Sequence, residues 1–240
     1  MRVLNITPGS AVPAQGIVCH DVRHPDQRSE VLVRKGSELA ASEIDALLER
    51  GIREIHLAVP DADDLDEDAA AQRLARAIAG TRVSVSEGHF GQTNLVSTER
   101  GMLRIDAARL HRVNAHDGVL ALTAEPDRPI DAGTTIGVVK CAPLFLPEAT
   151  LRAVEDLMVS AGPVVEVEPF QARRVALVAP RDRLRGGAFD RAQTALSDAL
   201  AWYGSSLEDV VGTETTVDAL SAAYAEARTG GADLILAAGA

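Results

Sequence analysis

From Arg174 to Ala240 the chain alternates strand and helix patterns with short loops, and this alternation restricts the fold more than any other feature. Arg174–Ala179 (RVALVA) is a short apolar run of the kind buried on both faces of a sheet. Pro180–Gly187 (PRDRLRGG) reads as a turn. Phe189–Tyr203 places Ala192, Leu196, Ala199 and Tyr203 on one helical stripe, with Gly204 as its C-terminal cap. Glu208–Val211 is a weaker strand. Thr216 is placed to cap a helix over Val217–Arg228, whose Leu220, Tyr224 and Ala227 recur at helical spacing. Gly230-Gly231 ends that helix, and Asp233–Ala237 is a third strand. Such alternation predicts parallel strands with right-handed crossovers. Ligands of such sheets sit beyond the carboxyl ends of the strands, here Pro180–Gly187, Gly212–Thr216 and Ala238–Ala240. Three strands make a small doubly wound sheet, so an incomplete α/β domain over residues 162–240 is expected.

The preceding residues divide by pattern into a mixed α+β module over 1–80 and a β-rich module with a flanking helix over 81–161. Strands are expected at Arg2–Ile6, Gly16–Val22, Val31–Val33 and Glu54–Val59. A short helix over Ser42–Arg50 has Ser42 as its cap, Asp45 as the capping-box partner and Gly51 as its stop. The acidic run Asp61–Asp68 fails as a calcium loop, because its sixth position is Asp66 and its twelfth Gln72. Acids there instead complement the dipole of a helix over Glu67–Ala79, with Ala70, Leu74 and Ile78 inward. Short β runs then alternate with Gly, Pro, Asn and Asp turns up to Leu146. A helix over Pro147–Ala161 ends at Gly162-Pro163, and the module boundary is placed between Ala161 and Arg173.

Two motifs in this region have a chemical reading. Gly16–Val22 contains Cys19-His20-Asp21, but on a strand Cys19 and Asp21 share one face and His20 takes the other, which disfavours a nucleophile, base and orienter. Arg34-Lys35-Gly36 puts two cations before a glycine, a pattern that holds an anion or forms a solvated turn, and the turn is favoured. Lys140 lies at the end of a strand-like run, whereas a lipoylated or biotinylated carrier lysine needs a hairpin tip.

A net charge of −11 and an aromatic content of 3% argue against nucleic-acid binding through phosphates or base stacking. No apolar run approaches the ~20 residues of a membrane span. No leader pattern opens the chain, and its two cysteines form no disulfide framework or zinc motif, so a reduced cytoplasmic protein is expected.

Arg173, Arg174, Arg181, Arg183, Arg185 and Arg191 crowd into one stretch of this acidic chain, and Gly186-Gly187 precede a helix start. Backbone N–H groups, a helix dipole and guanidinium groups together suit an anionic ligand, above all a phosphate. The alternative is an exposed arginine-rich loop that balances nearby acids. Neither a P-loop nor a dinucleotide fingerprint is present. Asp182 in this loop, and Glu214 and Asp218 at the next, can position a polar head group or a magnesium ion, or serve as caps.

The order of segments resembles one family. GIVCHDV, VRKG, ERGIREIHL, DEDAAAQRLARAIAG, GQTNLVSTERGMLRIDAARL, AGTTIGVVKCAPLFLPEATL and PVVEVEPFQARRVALVAPRD are together similar to bacterial molybdopterin-binding proteins of the molybdenum-cofactor type. The resemblance implies a C-terminal parallel three-layer α/β domain that binds molybdopterin, and homo-oligomers, often trimers. That family's first loop opens Thr-Gly-acid, and here Ala179-Pro180-Arg181-Asp182 leaves Asp182 as the acid. Its third loop reads Thr-Gly-Gly, and Ala238-Gly239-Ala240 keeps the type only at Gly239. On this basis Arg181, Asp182 and Gly186, with Gly187 beside it, line the phosphate end, Glu214 faces the head group, and Gly239 permits close approach. An accessory protein that has lost the ligand and acts through protein contacts is the alternative function.

Overall fold

A computed structural model describes residues 1–27 and 29–238. The fold is mixed α/β, with six α-helices among the described residues and sheets that are mostly antiparallel. The chain forms two compact units, Met1–Glu168 and Pro169–Ala240.

The first unit begins with β1 (Arg2–Ile6), β2 (Gln15–Val18), β3 (Val22–Arg23), β4 (Val31–Val33), β5 (Glu38–Ala40), α1 (Ala41–Glu49) and β6 (Ile55–Val59). An antiparallel sheet of order β1-β6-β2-β5 buries Ile6, Val18, Leu39 and Leu57 against Ile44 and Leu47 of α1. β5 runs straight into α1, so Ser42 has no room to act as a cap. Ala40 takes that position, and Glu43 rather than Asp45 accepts its backbone N–H at 2.8 Å. The expected strand Gly16–Val22 is also interrupted. The strand ends at Val18, where Cys19 N–H still donates to His56 O and Val18 O accepts from Gly36 N–H. Cys19 and His20 lie in a bend and Asp21 lies outside any strand, so the face argument for that string does not apply.

A second core follows, from β7 (Asp64–Asp66) and α2 (Glu67–Ile78) through β8 (Val83–Val85), β9 (Gln92–Ser97), β10 (Gly101–Ile105), α3 (Ala107–Val113), β11 (Val119–Thr123), β12 (Pro129–Ile130), β13 (Thr135–Cys141), β14 (Phe145–Pro147), α4 (Glu148–Ala161) and β15 (Val165–Pro169). Asp66 caps α2 by accepting from the N–H groups of Asp68 and Ala69. Ala70, Leu74 and Ile78 of α2 are fully buried, against Leu95 and Val139 of the sheet β11-β13-β9-β8 and Leu151 and Val154 of α4. Burying a Leu or Ile side chain this way stabilises by about 1.5–3 kcal/mol. Helix α2, expected to close the first module, thus belongs to this core. So does β15, whose Val165 and Val167 are buried in it.

The second unit contains β16 (Arg174–Pro180), the 3₁₀ turn Arg181–Arg183, α5 (Gly187–Trp202), β17 (Ser206–Thr213), α6 (Val217–Thr229) and β18 (Leu234–Ala237). The sheet order is β17-β16-β18 and both pairings are parallel. Val175 to Pro180 of β16 are all buried, as an apolar run at the centre of a parallel sheet demands. Ala223 and Ala227 of α6 pack on Ala176, Val178 and Val211. Thr216 caps α6, accepting from Ala219 N–H. On α5 the half-buried positions are Phe189, Gln193, Leu196, Leu200 and Trp202, so the expected stripe is rotated, with Ala192 and Ala199 facing out. No helix of the described residues is long and apolar enough to cross a membrane.

Candidate functional site

The carboxyl ends of β16 and β17 lie side by side, with Pro180 paired to Thr213. Arg181 follows immediately, and a cleft of about 380 Å³ opens beside it. Arg181, Gly212, Thr213 and Glu214 form the strand-end wall, and Ala219, Ala222, Ala223 and Glu226 of α6 form the other. Those four α6 positions are separated by three, four and seven residues, so they share one helix face. Three are alanines, and their small side chains leave space at a position where longer ones would fill it. Thr213 is buried, and its hydroxyl donates to Glu214 O at 3.1 Å. The stem of Arg181 is held against Gly212, where an added methyl would stand 3.2 Å from Arg181 Cγ and 2.7 Å from Leu184 Cδ1.

The site residues expected from sequence are distributed unequally. Arg181 and Glu214 line the cleft. Asp182 does not. It is exposed, and among the described residues its one ion pair is with its neighbour Arg183, at 3.8 Å. Gly186 and Gly187 also lie outside the lining. Gly186 is the N-cap of α5 at φ +88°, a conformation that favours glycine, and no side chain caps that helix start. Asp218 is exposed in the first turn of α6. Gly239 lies outside the described residues.

The arginine cluster splits in two. Arg174 ion-pairs with Asp233 at 3.5 Å at the amino ends of the strands, and its N–H donates to Asp233 Oδ2 at 3.0 Å. That backbone bond is the main reason the Asp233 carboxyl is held below its ordinary range. Arg173 uses its backbone N–H and side chain on Ser205 and Gln171. By contrast, Arg181, Arg185 and Arg191 make no ion pair among the described residues. Within the loop only Arg183 pairs with an acid among the described residues, its neighbour Asp182, so Arg181, Arg185 and Arg191 leave cationic groups open to an anion.

Glu226 was not expected at the site. It sits near the C-terminal end of α6, and only the spacing from Ala219 would have brought it onto the same face. Among the described residues no group of three His, Cys, Asp or Glu side chains is arranged to hold a metal ion. The Cys19 string makes no catalytic arrangement either. Burial pushes the Cys19 thiol up against the opposing pull of Lys35, and His20 stacks edge-on to His56 at 5.7 Å. A thiol so shifted is a poor nucleophile.

No protein-family model, curated protein or solved structure matches the chain.

Proposed function

We propose that the chain binds molybdopterin through its phosphate at the carboxyl edge of the C-terminal sheet, with Arg181 as the phosphate contact. The observation that carries this reading is the cleft in which Arg181, without an ion pair among the described residues, stands beside Glu214 and across from Glu226. A pterin presents ring N–H donors as well as an anionic tail, and two carboxylates with an arginine in one cleft answer both. Its volume, about 380 Å³, falls at the lower end of ligand-pocket sizes. Magnesium commonly takes one or two carboxylates together with substrate phosphate, so Glu214 and Glu226 also suit a metal carried in with the ligand. In this reading the C-terminal unit belongs to a three-layer α/β domain, and the protein works in the cytoplasm as a homo-oligomer in molybdenum-cofactor biosynthesis or handling.

The test is pterin content. The protein is purified from a host that makes molybdopterin, then denatured and oxidised, and pterin fluorescence is measured. A near-stoichiometric signal lost in Arg181→Ala and kept in Asp182→Ala supports the reading. Absence of pterin from the wild-type protein defeats it.

A second reading, an accessory module acting through protein contacts, is favoured by one observation. Val217 is 80% exposed, Leu234 44% and Tyr224 40%, and α5 buries no residue fully. Under this reading the protein self-associates in sedimentation but carries no pterin and gains no stability from a ligand.

A further inference from the structure

A separate cleft of about 620 Å³ opens in the first unit, between the Arg34–Ser37 turn and the start of α2. The backbone of its basic side is hydrogen-bonded throughout. Lys35 N–H donates to Asp21 Oδ1 at 3.0 Å, Gly36 N–H to Val18 O at 2.8 Å and Ser37 N–H to Arg34 O at 3.2 Å. The turn's backbone is thus committed to the protein, while the side chains of Arg34 and Lys35 make no ion pair among the described residues.

Glu67 and Asp68 face them from the first turn of α2. Asp68 is occupied, because Oδ1 accepts Gly91 N–H at 2.6 Å. The Glu67 backbone N–H donates to Leu144 O at 2.9 Å, while its carboxylate has no hydrogen-bond partner among the described residues. Burial pushes its carboxyl up, and Lys35 draws it back down.

Phe90 forms the third side. His89 and Gln92 exchange backbone bonds of 2.9 and 3.1 Å around Phe90 at φ +55° and Gly91 at φ +69°. This is a tight hairpin turn with positive φ at both central residues, a site for Asn, Asp or Gly. A bulky side chain there is an outlier. Phe90 also buries almost nothing, being 88% exposed at the mouth of the cleft. Neither the turn nor the core accounts for it.

We infer that this cleft binds a small phosphorylated heteroaromatic compound of the size and chemistry of a nucleoside monophosphate. Arg34 and Lys35 take the phosphate. Phe90 stacks on the ring, which any flat heterocycle permits. Glu67 accepts ring N–H groups, and guanine is the base that offers two adjacent donors to one carboxylate. This inference concerns residues separate from Arg181 and does not depend on the pterin reading.

The test titrates the full-length chain with GMP, AMP and inorganic phosphate by calorimetry. GMP is expected to bind more tightly than AMP and AMP more tightly than phosphate. Phe90→Asn preserves the turn and is expected to weaken both nucleotides about tenfold, in line with the loss of one stacking contact, while leaving phosphate unchanged. Lys35→Ala weakens all three, Glu67→Gln removes the preference for GMP, and Arg181→Ala changes none of them. No nucleotide binding at millimolar concentration overturns the inference. So does binding that survives both Phe90→Asn and Lys35→Ala, or that is lost in Arg181→Ala.

Discussion

Replacing Gly212 by Ala tests the C-terminal cleft without removing any group proposed to touch ligand. A methyl built there stands 2.7 Å from Leu184 Cδ1 and 3.2 Å from Arg181 Cγ. The nearer atom must retreat about 1 Å to reach an ordinary carbon contact of ~3.5–4.0 Å. It is the tip of a half-buried leucine, so the retreat is a side-chain rotation costing about 0.5–1.5 kcal/mol. Gly212 does not adopt a positive φ, and Ala there narrows the unfolded ensemble, which returns about 0.4–1 kcal/mol. Net stability should therefore change by less than about 1 kcal/mol, the difference between those two ranges. The Arg181 stem, however, moves off the wall of the cleft. Urea unfolding followed through Trp202, the sole tryptophan and a member of the same unit, measures the first effect. Pterin content measures the second, and it should fall severalfold. A loss above about 2 kcal/mol would show that Leu184 and Arg181 are locked in place, against the rotation argument. Unchanged pterin in a stable variant would remove Arg181 from the site.

Gly91→Ala should be far more damaging. Gly91 has φ +69°, and an added Cβ would stand 2.9 Å from Cys141 O, a backbone atom that cannot swing away. Strain and overpacking together predict a loss of about 2–4 kcal/mol in chemical denaturation. Phe90→Asn should act in the opposite direction, raising stability by about 1 kcal/mol because Asn tolerates the left-handed conformation, visible as a higher urea midpoint. Arg73 joins α2 to α4 by donating to both oxygens of Glu155, at 2.6 and 2.8 Å. Those bonds lower the Glu155 pKa, so the unfolded state binds its proton first as pH falls. The pair's contribution, about 1 kcal/mol for a largely solvent-screened pair, is fully present above the unfolded pKa of ~4.3 and is lost progressively as pH falls from there through the lowered folded pKa. Wild type should therefore exceed Glu155→Gln in stability at pH 7 and pH 5, and the difference should close below pH 4.

The C-terminal parallel sheet was legible because RVALVA has no polar face and so specifies burial on both sides. The inward face of α5 was not. Alanines populate several of its stripes, so Leu196 belongs equally to the expected set with Ala192 and Ala199 and to the observed set with Phe189, Gln193 and Leu200. In the first unit, β5, β7, β12 and β14 have three residues or fewer. Strands that short carry no usable alternation, and their partners are set by tertiary packing. The sheet order β11-β13-β9-β8 has the same origin, since period-two patterns do not name a partner.

The arginine cluster shows why adjacency in sequence misleads about a site. Arg174 begins β16 and Arg181 follows its end, and at about 3.3 Å per residue the ends of this seven-residue strand are roughly 20 Å apart. One end is bound up with Asp233 and Ser205, and only the other is open. Within the open end a further separation operates. Arg181 and Asp182 occupy successive positions of a 3₁₀ turn, where neighbours diverge by about 120°, so one lines the cleft while the other faces solvent. The Arg34-Lys35 turn presents the reverse case. Its composition reads as a solvated turn, yet its backbone is hydrogen-bonded within the protein, and the hairpin carrying Phe90 and the first turn of α2 build a cleft against its side chains. What distinguishes a cationic turn from a cationic site is the surface placed opposite it, and that surface is supplied by residues more than thirty positions away.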